Sequence, residues 1–156
     1  MLGEIDPLVI ASRWLHISSA IVAIGGTVFL RLVLHPTAKA TLPPEVGSQF
    51  SPALIRRWAR VVHTCILFLI LSGTYNSIVQ FPLHKAVPGQ MPLYHVLWGV
   101  KVILALALFF IAIAVTGRSP AFEKMRQKRP MWMATNVAIA AVIVLISNIL
   151  KNIPQS

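Results

Sequence analysis

Two basic side chains lie well inside long apolar stretches, where a charge is costly. His16 belongs to the stretch from residue 7 to 34, and Lys101 belongs to the stretch from 91 to 116. A charged group at the centre of a bilayer costs about 2.5–3.5 kcal/mol on insertion scales, so such residues usually have a function. Neutral imidazole is a common axial ligand of haem iron, and a neutral amine can bind a metal or carry a proton. His16 and Lys101 are therefore the first candidates for a catalytic or cofactor-binding centre.

The depth of each residue decides which side chains can meet. His16 lies roughly nine residues into its stretch and Lys101 roughly ten, which is ~13 Å and ~15 Å at helical rise. Both stretches start from the same side, so we expect the two residues to share a level. Arg13 precedes His16 by one turn on the same helix face. His95 is shallower than Lys101 and points ~120° away from it, so it joins the cluster only if its helix starts deeper.

A second, looser cluster is predicted in the opposite half of the membrane, where His63 lies near the level of His35. His63 is a further candidate metal ligand there. Structural roles stay open as well. His16 can form a hydrogen bond between helices, and the chain of Lys101 is long enough to bring its ammonium to the surface.

Four apolar stretches must position these side chains, at about residues 7–34, 59–81, 91–116 and 131–151. Each is long enough to cross a bilayer as a helix, which takes about 20 residues. His35-Pro36 is expected to end the first span, because proline interrupts the hydrogen-bond ladder of a helix. The sequence thus predicts an all-α integral membrane four-helix bundle, formed as a single domain by residues 1–156.

Composition supports this prediction. Hydrophobic residues make up 56% of the chain and charged residues 12%, with a mean hydropathy of +0.75. Soluble domains are about 25% charged, so a soluble enzyme is excluded. Glu4 and Asp6 precede the first stretch where a cleaved signal would carry lysine or arginine, and this favours a retained span.

The net charge of +10 is distributed unevenly. Four spans place both chain ends on one side, here called the terminal side, and the first and third connections on the other, here called the loop side. Ten basic residues belong to the loop side: Arg31, Lys39, Arg56, Arg57, Arg60, Arg118, Lys124, Arg126, Lys128 and Arg129. The other four are Arg13, Lys85, Lys101 and Lys151. The positive-inside rule predicts cytoplasmic loops, external termini and contact with anionic lipid rather than nucleic acid.

Other kinds of chemistry find little support. Cys65 is the single cysteine, which excludes an intrachain disulfide and a cysteine-based zinc site. The five methionines are not clustered as a Cu(I) site would require. The sequence has no nucleotide-binding motif, hydrolase triad or paired carboxylates, and none of its four acidic residues lies in the middle of an apolar stretch, which argues against carboxylate-driven proton pumping.

Several short runs resemble the HemJ-like membrane proteins, which are oxygen-independent protoporphyrinogen IX oxidases and are similar to the CopD-like copper-resistance proteins. The runs are Trp14–Ile17, Phe29–Leu32 with His35, Arg56–Arg60, Leu71–Gly73 and Trp98–Leu104. The resemblance implies a helical bundle that binds haem b in a bacterial inner membrane, with His16 as iron ligand and Lys101 as its essential partner. Electrons from a porphyrinogen would pass to quinone or the respiratory chain. Two motifs of the family are absent. Val115–Arg118 stands where the family has a Tyr-His-His cluster, and Arg129–Trp132 stands where it has an Asn-Glu-x-Pro motif.

Three functions follow as hypotheses. The first is a haem-b membrane redox protein, with Arg13 and His95 available to the haem propionates and Lys101 or His95 to the second axial position. The second is a CopD-like copper-handling protein. The third is a non-catalytic subunit of a membrane complex, and self-association into a homo-oligomer stays open.

Overall fold

The computed structural model describes residues 6–84 and 91–152, with side chains described for 6–79 and 93–152. Its helices are α1 (Pro7–Phe29), α2 (His35–Thr41), α3 (Pro44–His84), α4 (Met91–Thr116), α5 (Glu123–Gln127) and α6 (Arg129–Asn152). A π-helical turn, Leu30–Leu34, joins α1 to α2, and a 3₁₀ turn, Pro120–Phe122, precedes α5. The described ranges contain no strand, which confirms the all-α prediction.

Four helical segments are long and apolar enough to cross a membrane: Pro7–Thr41, Pro44–Val79, Leu93–Thr116 and Arg129–Asn152. The shorter ones have 24 residues, or ~36 Å at helical rise, against a hydrocarbon core of about 30 Å. Many large apolar side chains face outward, and Ile103 is 68% exposed. By length, composition and outward apolar surface, the chain has the character of an integral membrane protein.

The first span starts as its sequence suggests but does not end where predicted. The side chain of Asp6 accepts a hydrogen bond from the backbone N–H of Leu8 at 2.8 Å, and Pro7 occupies the first helical position. The predicted end at His35-Pro36 is wrong, because the helix continues to Thr41. The ring of Pro36 would clash with the carbonyl four residues earlier, and the π-helical turn widens the helix there instead of ending it.

The second span also differs from its predicted bounds. The apolar stretch begins near residue 59, whereas α3 begins at Pro44 and runs for 41 residues. The first part of α3 is less apolar than the rest and contains Gly47 and Pro52, which are poor helix formers, yet it is helical. The apolar pattern marks only the hydrophobic part of a helix, so it underestimated the length of α3.

The four long helices form two tightly packed pairs. One pair is α1 with α3, and the other is α4 with α6. Contacts between the pairs are fewer and lie mainly between α3 and α4. Tyr94, Ile146 and Leu150 form a buried apolar cluster within the second pair. On the loop side the guanidinium Nη1 of Arg31 donates a hydrogen bond to the carbonyl of Pro130, which ties the π-helical turn to the start of α6.

Candidate functional site

His16 lies in the seam between α1 and α3, where it is half-buried. Its Nδ1 is 2.9 Å from the hydroxyl oxygen of Ser72, and Ser72 is buried. Gly73 lets the ring approach α3, because a Cβ atom at that position would lie 3.2 Å from Cε1 of the imidazole. In the same seam, the hydroxyl of Ser12 donates a hydrogen bond of 3.3 Å to the Ser72 carbonyl. The ring also lies near the backbone of Leu69. The contacts with Ser72 and Leu69, together with Gly73, therefore fix the imidazole against α3, and the Ser12 hydrogen bond joins the two helices beside it.

The hydrogen bonds of Ser72 indicate which ring nitrogen of His16 carries the proton. The Ser72 hydroxyl donates to the carbonyl of Phe68, at 2.5 Å, because a carbonyl can only accept. With its single proton used there, the Ser72 oxygen must accept from Nδ1–H of His16. The lone pair of the neutral ring is then on Nε2. Metal-binding histidines are commonly held in this way, by a hydrogen bond at the nitrogen that does not bind the metal.

Lys101 reaches the same level from α4. The indole Nε1 of Trp98 donates to the Ser77 hydroxyl at 3.1 Å, which sets the register of α4 against α3. One turn deeper, Lys101 is half-buried and close enough to His16 for their charges to interact. No hydrogen bond or ion pair of its Nζ is found within the described ranges. The structure thus brings together the two residues that the sequence singled out, while their chemical roles stay predictions.

The other two residues of the predicted cluster are placed differently. Arg13 is exposed on the outside of α1, so it lies at the surface of the bundle and not in the seam. His95 is half-buried and contacts the ring of Tyr94 edge to face, with 5.9 Å between ring centres. A role for either residue beside a cofactor remains a prediction.

The two histidines assigned to the loop-side half do not lie in one place. His63 is exposed on the outside of α3, and its Nδ1–H donates to the carbonyl of Ala59 at 2.6 Å. His35 instead lines a cleft between the two helix pairs. The looser cluster is therefore divided between an outer face and an inner one.

This cleft is the feature that sequence reasoning missed. It has about 860 Å³ of empty space, counting its open side, and is lined mainly by apolar side chains of all four long helices. Two of its polar atoms, Nε of Arg129 and Oδ1 of Asn136, are buried without a hydrogen-bond partner among the described residues. The sequence analysis used Arg129 only as one of the basic residues that predict the membrane orientation, and it did not select Asn136. Their spacing of seven residues, which puts them on one face of α6, was the available signal.

The types of donor in the His16 seam are compatible with haem b. Haem iron takes one or two protein ligands, and the seam contains an imidazole, which also lies near the backbone of Leu69, and the amine of Lys101. Within residues 6–84 and 91–152 no group of three or more histidine, cysteine or acidic side chains could hold a metal ion. A haem site does not need such a group, so this observation bears on other metal centres only.

Comparisons with protein-family models, with curated proteins and with solved structures gave no match for this chain.

Proposed function

We propose that the chain is a haem-b-binding membrane redox protein of the HemJ-like type, with His16 as an iron ligand. The observation that carries this proposal is the hydrogen bond from Nδ1 of His16 to Ser72, since it holds the ring in the tautomer whose lone pair is on Nε2, the nitrogen that would bind the iron. The position of Lys101 at the same level supports it. The resemblance of the sequence runs to that family supplies the identity of the cofactor.

Haem b, when bound, supplies reversible one-electron chemistry. The residues of the chain have separate tasks in this proposal. Ser72 holds the imidazole of His16 in one tautomer, and the apolar helices around the seam keep water away. Oxidation of a porphyrinogen releases protons together with electrons, and Lys101 is a basic group placed to accept a proton. The electrons pass to quinone or another component of a respiratory chain.

The proposal includes an orientation. The loop side faces the cytoplasm of a bacterial inner membrane, and both termini are external. The ten-to-four division of basic residues supports this arrangement. The seam of His16 and Lys101 then lies in the external half of the bilayer, whereas the cleft lies in the cytoplasmic half.

One observation favours a second candidate, a non-catalytic subunit. The contacts of Ser12 and His16 with Ser72 are sufficient to join α1 to α3, which is all that a structural role requires.

Absorption spectroscopy separates the two candidates. Protein expressed with ample haem supply and purified in detergent is expected to show a Soret band, with haem quantified as the pyridine haemochrome. His16→Ala should remove at least about 90% of the haem, since second-shell changes alone cost 10–100-fold in metal affinity. His63→Ala is the matched control, because His63 is exposed on α3. This variant should keep the wild-type haem content.

A third variant guards against simple misfolding. His16→Gly leaves a gap that free imidazole can fill, so added imidazole should restore the Soret band. A wild-type protein without Soret absorbance, or His16→Ala protein with full haem content, contradicts the proposal and favours the structural role.

A further inference from the structure

We propose that the cleft between the two helix pairs binds one anionic phospholipid of the loop-side leaflet, with its headgroup at Arg129 and an acyl chain along the cleft. The inference does not depend on haem binding, although the cleft and the His16 seam meet at Leu69. His16 is not among the residues that line the cleft in the described part of the chain. Four features of the cleft support the proposal.

The first feature is its length and lining. The cleft extends along α6 from Arg129 to Ala140, a rise of ~16 Å for eleven residues. One leaflet supplies about half of a hydrocarbon core ~30 Å thick. The walls are mostly aliphatic and aromatic, as those of a site for a hydrocarbon chain should be. Trp58 and Trp132 lie toward its loop-side end, where indoles prefer the membrane interface.

The second feature is the unused donor of Arg129. Its Nη2 donates to the carbonyl of Val115 at 3.1 Å, which holds the guanidinium in place. Its Nε is buried and has no hydrogen-bond partner among the described residues. Buried donors are nearly always paired in folded proteins, so an acceptor from outside the chain is expected here. Phosphate oxygens are strong acceptors for a guanidinium.

The third feature is the charge at the mouth of the cleft. Arg31 reaches the carbonyl of Pro130, directly beside Arg129. The carboxylate of Glu123 pairs with Arg126, and this is the only ion pair found within the described ranges. Arg31 and Arg129 form no ion pair there, and Glu123, which is near enough to Arg129 for their charges to interact, is already paired with Arg126. Basic pockets between transmembrane helices on the cytoplasmic side are typical sites for anionic lipid headgroups.

The fourth feature is the weak packing between the two helix pairs. The α1–α3 and α4–α6 pairs are tightly packed within themselves, and the cleft lies where they separate. A lipid chain between the pairs would supply the apolar contacts that the helices do not make with each other.

Asn136 distinguishes this occupant from other ligands. Its unpaired Oδ1 lies about two turns deeper than Arg129, or ~10 Å. A hydrocarbon chain has no donor at that depth, whereas a ligand with a buried O–H or N–H would pair with the amide. Asn136→Leu should therefore leave binding equal or tighter for a lipid chain, and should weaken it for a ligand that donates a hydrogen bond.

Quenching of tryptophan fluorescence by brominated lipids tests the proposal. The full chain is placed in phosphatidylcholine nanodiscs that contain increasing fractions of dibrominated phosphatidylglycerol or, separately, dibrominated phosphatidylcholine. We expect a saturable part of the quenching, with a midpoint at least about tenfold lower for the anionic lipid. This part should disappear in Trp58→Phe/Trp132→Phe protein, since those indoles line the cleft.

Variants of the charge and of the cleft complete the experiment. Arg129→Gln should raise the midpoint about tenfold, as expected for the loss of a charge-assisted hydrogen bond. Arg56→Gln, which removes an exposed arginine on the same side, should not change it. Ala112→Phe fills the cleft without a change of charge and should abolish saturation, which keeps the test informative if Arg129→Gln folds poorly.

Three outcomes would overturn the proposal. They are equal midpoints for the two lipids, equal effects of Arg129→Gln and Arg56→Gln, and weaker binding in Asn136→Leu protein.

Discussion

At the scale of single residues, Ser72 decides how the imidazole of His16 is held in the seam. The Ser72 hydroxyl donates its proton to the carbonyl of Phe68, so its oxygen is left to accept from Nδ1–H of His16. Ser72 is a positioning residue in this sense, since it acts through His16. The apolar pattern of the second stretch gave no reason to select this serine over its neighbours.

Ser72→Ala should leave Nδ1–H of His16 without its partner. We expect a loss of about 1–3 kcal/mol in the free energy of unfolding, because a half-buried donor becomes unpaired. The fraction of Nδ1–H tautomer should also fall, which ¹⁵N NMR of histidine in the haem-free protein can measure. Ser147→Ala is the matched control, since the Ser147 hydroxyl bonds only the Ile143 carbonyl of its own helix. An unchanged tautomer in Ser72→Ala protein would rule out the positioning role.

At the scale of helices, small residues decide how closely α1 approaches α3. A Cβ atom added at Gly26 would lie 2.1 Å from Cη2 of Trp58, so the indole occupies the space that glycine leaves open. The adjacent Gly25 faces open space, with nothing within 4 Å of an added Cβ. Two neighbouring glycines of equal helix propensity therefore have different roles, and only their positions on the helix separate them.

Gly26→Ala should destabilise the bundle by about 1–3 kcal/mol, because the added methyl forces Trp58 and α3 to move. Gly25→Ala should be neutral or stabilising by up to about 1 kcal/mol, since alanine is the better helix former. Equilibrium unfolding in detergent measures both. If the two substitutions gave the same change, the close contact of α1 with α3 would not be a source of stability.

At the scale of the whole molecule, the division into two helix pairs creates two distinct regions in one bundle. The His16 seam forms inside the α1–α3 pair, with Lys101 added from α4. The cleft forms where the pairs separate, at the loop-side end. The proposed redox centre and the proposed lipid site therefore lie in opposite halves of the bundle because of how the pairs meet.

The orientation of the molecule is testable with single cysteines in a Cys65→Ala background, since Cys65 is buried. A membrane-impermeant thiol reagent applied to intact cells should label Gly3→Cys and Gln155→Cys, which stand at the two ends of the chain. Gln49→Cys, on the loop side, should react only after the cells are opened. Protection of either terminus in intact cells would reverse the orientation derived from the basic residues.

The sequence by itself determined the helical class, the four apolar spans and the shared level of His16 and Lys101. These properties depend on hydropathy, on helical rise and on the order of the spans, all of which are linear in the chain. The sequence pattern misplaced the end of the first span and the start of the second. The helix continues past Pro36 because a π-helical turn forms before it, and α3 extends beyond the apolar stretch. The role of Ser72 as partner of His16 was decided by tertiary structure, since it depends on which faces of α1 and α3 meet. The same holds for the unpaired atoms of Arg129 and Asn136, because a cleft forms only where two packed helix pairs fail to fill the space between them.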